Sequence, residues 1–116
     1  MAKSYGMTIY NMTGIEGVIS SLQSNGEVFT FKPDHVNEEP AAGWATSTTD
    51  NISGSFILTI NDATFAFSFS FTSGHKPQFS VSPECSGIIC VKRDEPSAHN
   101  NIAHATAYIY DPQGKK

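Results

Sequence analysis

Four phenylalanines at every second position, Phe65, Phe67, Phe69 and Phe71, separated by Ala66, Ser68 and Ser70, most narrow what this chain can fold into. A helix would scatter the rings around its surface. An extended strand turns all four to one face and the small residues to the other. The preceding Ser55-Phe56-Ile57-Leu58-Thr59-Ile60 is a natural partner, and the intervening Asn61-Asp62 suits a tight turn. The pair predicts a β-hairpin whose ring-bearing face is core. An uncovered face of this kind would instead be an edge that aggregates or oligomerises.

The rest of the chain repeats the signal in shorter pieces. Residues 5–12 alternate Tyr5, Met7 and Ile9 against Thr8, Tyr10 and Met12, and Gly14 follows them. Residues 17–23 carry Val18 and Leu22, residues 27–31 carry Phe29 and Phe31, and Asn25-Gly26 between them predicts a hairpin. Residues 33–44, with Pro33, Pro40, Gly43 and Trp44, read as a loop, and residues 92–101 as a charged, exposed turn region. Short strands are expected at 79–81 and 88–92, and a last one at 102–110. No apolar period of 3.6 residues persists long enough for a helix. The expectation is an all-β chain: one antiparallel β-sandwich of about seven to eight short strands over residues 1–116, with a short flexible tail from about residue 112.

The last strand has two unlike faces. Ala103, Ala105, Ala107 and Ile109 share one parity, and Ile102, His104, Thr106, Tyr108 and Tyr110 the other. The small face suits close packing on the phenylalanines. That leaves His104, Tyr108 and Tyr110 outward for a ligand, although tyrosine also packs well and the reverse assignment stays open. Trp44 is a second aromatic candidate, with a core or lid role as its alternative.

Charge narrows the partners. Seven basic residues against eleven acidic ones give a net charge of −4, which does not suit nucleic acid or adhesion to anionic lipid by charge alone. No apolar run approaches the length of a membrane span. The first six residues are too polar for the middle of a secretory signal, so the protein is expected in the cytoplasm or released without a signal peptide. On that expectation Cys85 and Cys90 are reduced thiols, although a turn at Gly87 would allow a local bridge. Cys85, Cys90, His99 and His104 have some of the spacing of a zinc site, but no helix presents the histidines, and no metal is expected.

Catalytic patterns are missing. No serine sits in a nucleophile elbow, no glycine-rich phosphate cradle occurs, and Asp34-His35 are neighbours that point apart in an extended chain. Glu38-Glu39 lack the alternating oxygen ligands of a calcium loop. Two glycosylation sequons, at Asn11 and Asn51, read as chance matches. The protein is not expected to be an enzyme, and no cofactor is expected.

One run of residues has a family look. Ile9-Tyr10-Asn11-Met12-Thr13-Gly14, then Ala41-Ala42-Gly43-Trp44, then Ser53-Gly54-Ser55-Phe56 before the hairpin, and Phe79-Ser80-Val81-Ser82 after it, resemble in order the small β-sandwich cytolysins and lectin-like proteins of the aegerolysin kind, and more distantly actinoporins. The resemblance spans about residues 5–82. It implies a protein that recognises membrane lipid head groups or glycans, and in actinoporin-like members aromatic side chains cradle a choline group. Trp44 is the position within the matched stretch to connect with that role; Tyr108 and Tyr110 lie outside it. One tryptophan is fewer than aegerolysins usually carry, and residues 1–5 run almost directly into the first expected strand where actinoporins have an amphipathic helix, so on this resemblance binding is expected rather than pore formation.

The chain is therefore expected to be a module that binds a lipid head group or cell-surface glycan, with a defence or toxin-like role, through Trp44, His104, Tyr108 and Tyr110. The alternative is a structural protein that self-associates into a homo-oligomer through sheet edges.

Overall fold

The phenylalanine hairpin forms as the alternation requires. In the computed structural model, which describes residues 2–26, 28–32, 35–36 and 40–113, β6 (Asn51–Ile60) and β7 (Ala63–Thr72) pair antiparallel along their length. Asn61 turns the chain with a φ of 55°, a left-handed conformation that asparagine tolerates well. The remaining strands are β1 (Lys3–Asn11), β2 (Gly17–Ser24), β3 (Val28–Lys32), β4 (His35–Val36), β5 (Ala41–Ser47), β8 (Gln78–Ser82), β9 (Cys85–Ser86), β10 (Ile89–Arg93), β11 (Ser97–His99) and β12 (Ile102–Tyr110). They form two sheets. One runs β3-β5-β1-β12-β10-β9 with β11 also on β12; the other runs β4-β2-β6-β7-β8. Among the described residues no helix is long and apolar enough to cross a membrane.

The two inner faces are complementary in size. The second sheet contributes Phe56, Phe65, Phe67, Phe69, Phe71 and Phe79; the first contributes Ala41, Ala45, Ala103, Ala105 and Ala107 with Tyr5, Met7, Ile9 and Ile109. Phe56 stacks on Phe67 with centroids 4.8 Å apart and planes 4° from parallel, and Phe31 meets Phe56 at 4.7 Å. Tyr5 crosses the sandwich, and its hydroxyl donates to the Gln78 carbonyl at 2.6 Å. Burial of that phenol pushes its pKa well up.

Several expectations need correction. Twelve strands form among the described residues rather than seven or eight, because pieces of two or three residues complete the sheet margins. The sandwich is not wholly antiparallel: β1 and β12 pair parallel, from Ser4↔Ile102 to Asn11↔Ile109. Residues 41–44 belong to β5 and not to a loop, since Ala41, Gly43 and Ala45 give small buried inner positions, with Gly43 against the Phe31 ring. Asn25-Gly26 closes no hairpin. It carries the chain from β2 in one sheet to β3 in the other. On β2, Val18 and Leu22 face solvent while Ile19 is buried. Within residues 92–101, β11 adds a short edge to β12. Glu27, Pro33, Asp34, Glu38, Glu39 and the tail beyond residue 113 lie outside the described residues.

The cysteines are joined, not reduced. The Cys85–Cys90 disulfide closes the β9–β10 hairpin around Gly87, whose φ of 62° matches a tight hairpin turn with glycine at its first central position. Cys90 pairs with Tyr110, six residues along β12 from His104, so the cysteines and that histidine stand about 20 Å apart at strand rise. They share no zinc site.

Candidate functional site

Parity and register place the outward side chains of the first sheet. On β12 the alanines and Ile109 are buried, so His104, Thr106, Tyr108 and Tyr110 lie on the outer face, as expected. Their neighbours could not be read from spacing, because they come from the parallel β1 and from β10. Tyr108 lies between Tyr10 and Lys92 in one row across three strands. The Tyr10 and Tyr108 rings stack, with centroids 5.3 Å apart and planes 12° from parallel. The Tyr108 hydroxyl donates to Asp94 Oδ2 at 3.1 Å. That hydrogen bond, followed by desolvation and the neighbouring carboxylate charge, raises the Tyr108 pKa.

Beside this row lies a shallow open groove of about 580 Å³, lined by Met12, Lys92, Asp94, Tyr108 and Tyr110. Met12, in its lining, is 54% exposed. Met12 is held out by an internal network. The Asn11 side-chain amide donates to the carbonyls of Ile15 and Val36 at 2.6 and 2.7 Å, and Asn11 Oδ1 accepts from the backbone and hydroxyl of Thr13. Thr13 is thereby buried and Met12 is turned outward. The Asn11 amide is thus already engaged by the loop that follows it and by β4.

Trp44 and His104 share the outer face but not the groove. Both lie opposite Gly6, one on β5 and one on β12. Tyr10 is four residues further along β1, about 13 Å at strand rise. Of the four residues expected at a site, Tyr108 and Tyr110 line one groove, while Trp44 and His104 meet over a glycine elsewhere on the sheet. Sequence reasoning missed Tyr10, Met12, Lys92 and Asp94. Tyr10 and Met12 carried a signal, an outward parity on the first strand; Lys92 and Asp94 carried none beyond charge. None of the remaining histidines lines the groove: His35 is in β4, His75 bonds locally to the Ser73 carbonyl, and His99 is exposed on β11.

The chain matches no protein-family model and no curated protein sequence. Solved structures do match. The lipid binding protein Nakanori superposes with a TM-score of 0.73 at 10% identity, over 92% of this chain and 70% of that one. IP-1A from Alcaligenes faecalis superposes with a TM-score of 0.70 at 9% identity, over 95% of this chain and 91% of that one. The likeness is one of fold. The resemblance expected from residues 5–82 thus holds as a β-sandwich architecture that a lipid-binding protein also has.

Proposed function

We propose that the protein is a non-catalytic module that binds the zwitterionic head group of a membrane lipid in the groove beside Tyr108. The observation that carries this reading is the arrangement of Lys92 and Asp94 around the stacked Tyr10–Tyr108 pair and Tyr110. A phosphate would be drawn to the Lys92 ammonium. A quaternary ammonium is attracted to aromatic faces and to a nearby carboxylate. Met12 supplies an exposed apolar side chain in the groove, where a bilayer surface would meet it. The likeness in fold to a lipid-binding protein supports the same reading. A disulfide in the β9–β10 hairpin favours a protein released into an oxidising environment over a cytoplasmic one.

The test is co-sedimentation with liposomes of phosphatidylcholine, sphingomyelin, phosphatidylglycerol or a glycolipid, each with entrapped dye. Selective pelleting with the choline lipids is expected, with loss in Tyr108→Ala and in Lys92→Glu. Dye release would add a toxin-like activity. No pelleting with any lipid, or pelleting undiminished in both variants, would overturn the assignment. Lipid hydrolysis during the assay would overturn the non-catalytic part of it. A large species formed without lipid would favour self-association through sheet edges.

A further inference from the structure

A tryptophan half in solvent at the middle of a sheet needs a reason. Trp44, 42% exposed, lies in a row that runs Thr30, Trp44, Gly6, His104 and Ser97 across five neighbouring strands. The glycine is what lets the two rings lie down. A Cβ at residue 6 would stand 3.1 Å from His104 Cδ2 and 3.3 Å from Trp44 Cε3 and Cζ3. Glycine in a central strand is less favourable than alanine, so this seating is made at some expense of stability. The adjoining rows contribute the half-buried Thr8 and Thr106 on one side and Ser4 and Thr46 on the other. Lys32, at the sheet margin, is the nearest cation on these rows among the described residues.

We infer that this row is a second binding site, separate from the tyrosine groove, which takes an uncharged pyranose ring of a glycan. The chemistry of the row selects that ligand. A sugar ring has an apolar C–H face that stacks on an indole, and a girdle of hydroxyls that exchange hydrogen bonds with an imidazole and with threonine and serine hydroxyls. The row itself holds no carboxylate, lysine or arginine, so its indole is flanked by hydroxyls and an imidazole, the hydrogen-bonding set of a sugar ring. The groove that serves the head group is about 13 Å away along the strands, so the two sites are occupied independently.

Trp44 is the sole tryptophan, so its fluorescence reports this site alone. Titration with lactose, methyl α-mannoside and N-acetylglucosamine is expected to give a saturable change in emission for at least one sugar. His104→Ala, which keeps the reporter, should weaken that sugar by about fivefold or more, and Trp44→Ala should abolish its binding by NMR. Both variants should keep wild-type circular dichroism and wild-type pelleting with choline-lipid liposomes. Vesicles bearing lactosylceramide, run beside free lactose, distinguish a glycolipid source from a soluble glycan. No saturable change with any of the three sugars would overturn the inference, as would equal affinity in His104→Ala. Phosphocholine that quenches Trp44 would also overturn it, by showing that the row belongs to the head-group site.

Discussion

Gly43→Ala sets the local and tertiary readings against each other, because they predict opposite signs. Gly43 lies in β5 without a positive φ, and alanine at such a strand position gains about 0.5–1 kcal/mol from backbone entropy. In the folded protein a Cβ there would stand 2.5, 2.6 and 2.8 Å from Cζ, Cε2 and Cε1 of Phe31, its direct cross-strand partner. The ring has little room to withdraw. Phe31 is buried against Phe56 at 4.7 Å, and Phe56 stacks in turn on Phe67. Overpacking costs about 1–3 kcal/mol, and contact with three ring atoms belongs near the upper end. Set against the entropic gain, the net loss is about 2 kcal/mol. For a chain of this length that is a fall of about 8 °C in the unfolding midpoint. Thermal unfolding followed by circular dichroism reads the shift, and urea unfolding should show a lower midpoint at unchanged slope. Phe31→Leu made in the Gly43→Ala background should recover part of the loss, because the smaller side chain vacates the space and the two sites couple. A midpoint at or above wild type, or strictly additive losses in the double variant, would refute the packing argument.

Three further outcomes follow from the same structure. Tyr5 has a raised pKa, so the stability it provides is complete below the ordinary phenol value near 10 and is lost as the unfolded chain ionises above it. Tyr5→Phe should therefore flatten the alkaline limb of a stability–pH curve, while costing about 1 kcal/mol at neutral pH for the bond to Gln78. Asp94→Asn should lower the Tyr108 pKa toward its ordinary value, read by NMR of the ring during an alkaline titration; an unchanged value would remove Asp94 as the cause. Reduction of Cys85–Cys90, or Cys85→Ser with Cys90→Ser, should cost no more than about 2 kcal/mol in urea unfolding, since the closed loop is short and its entropy small.

Residues 55–71 carried their own structure, because strict alternation leaves a strand one solution and Asn61 accepts the turn. The inward alanines and outward tyrosines of β12 were legible for the same reason, and the alanine face against the phenylalanine face is a match of sizes that composition already contains. All-β class, sandwich architecture and the outward parity of His104, Tyr108 and Tyr110 thus come from local periodicity, which acts over a few residues and needs no partner to be read.

Adjacency is another matter. Asn25-Gly26 has the chemistry of a hairpin turn, yet the strands it joins bury their apolar faces in different sheets, and burial outweighs a turn preference worth far less. Parallel pairing of the first strand with the last, across nearly the whole chain, has no local signature. It stacks Tyr10 on Tyr108 and brings His104 over Gly6, where the antiparallel β5 brings Trp44 from the other side. The sequence specified which side chains face outward, since that depends on backbone period; which of them stand together depends on strand order, and only the packing of the two sheets decides it.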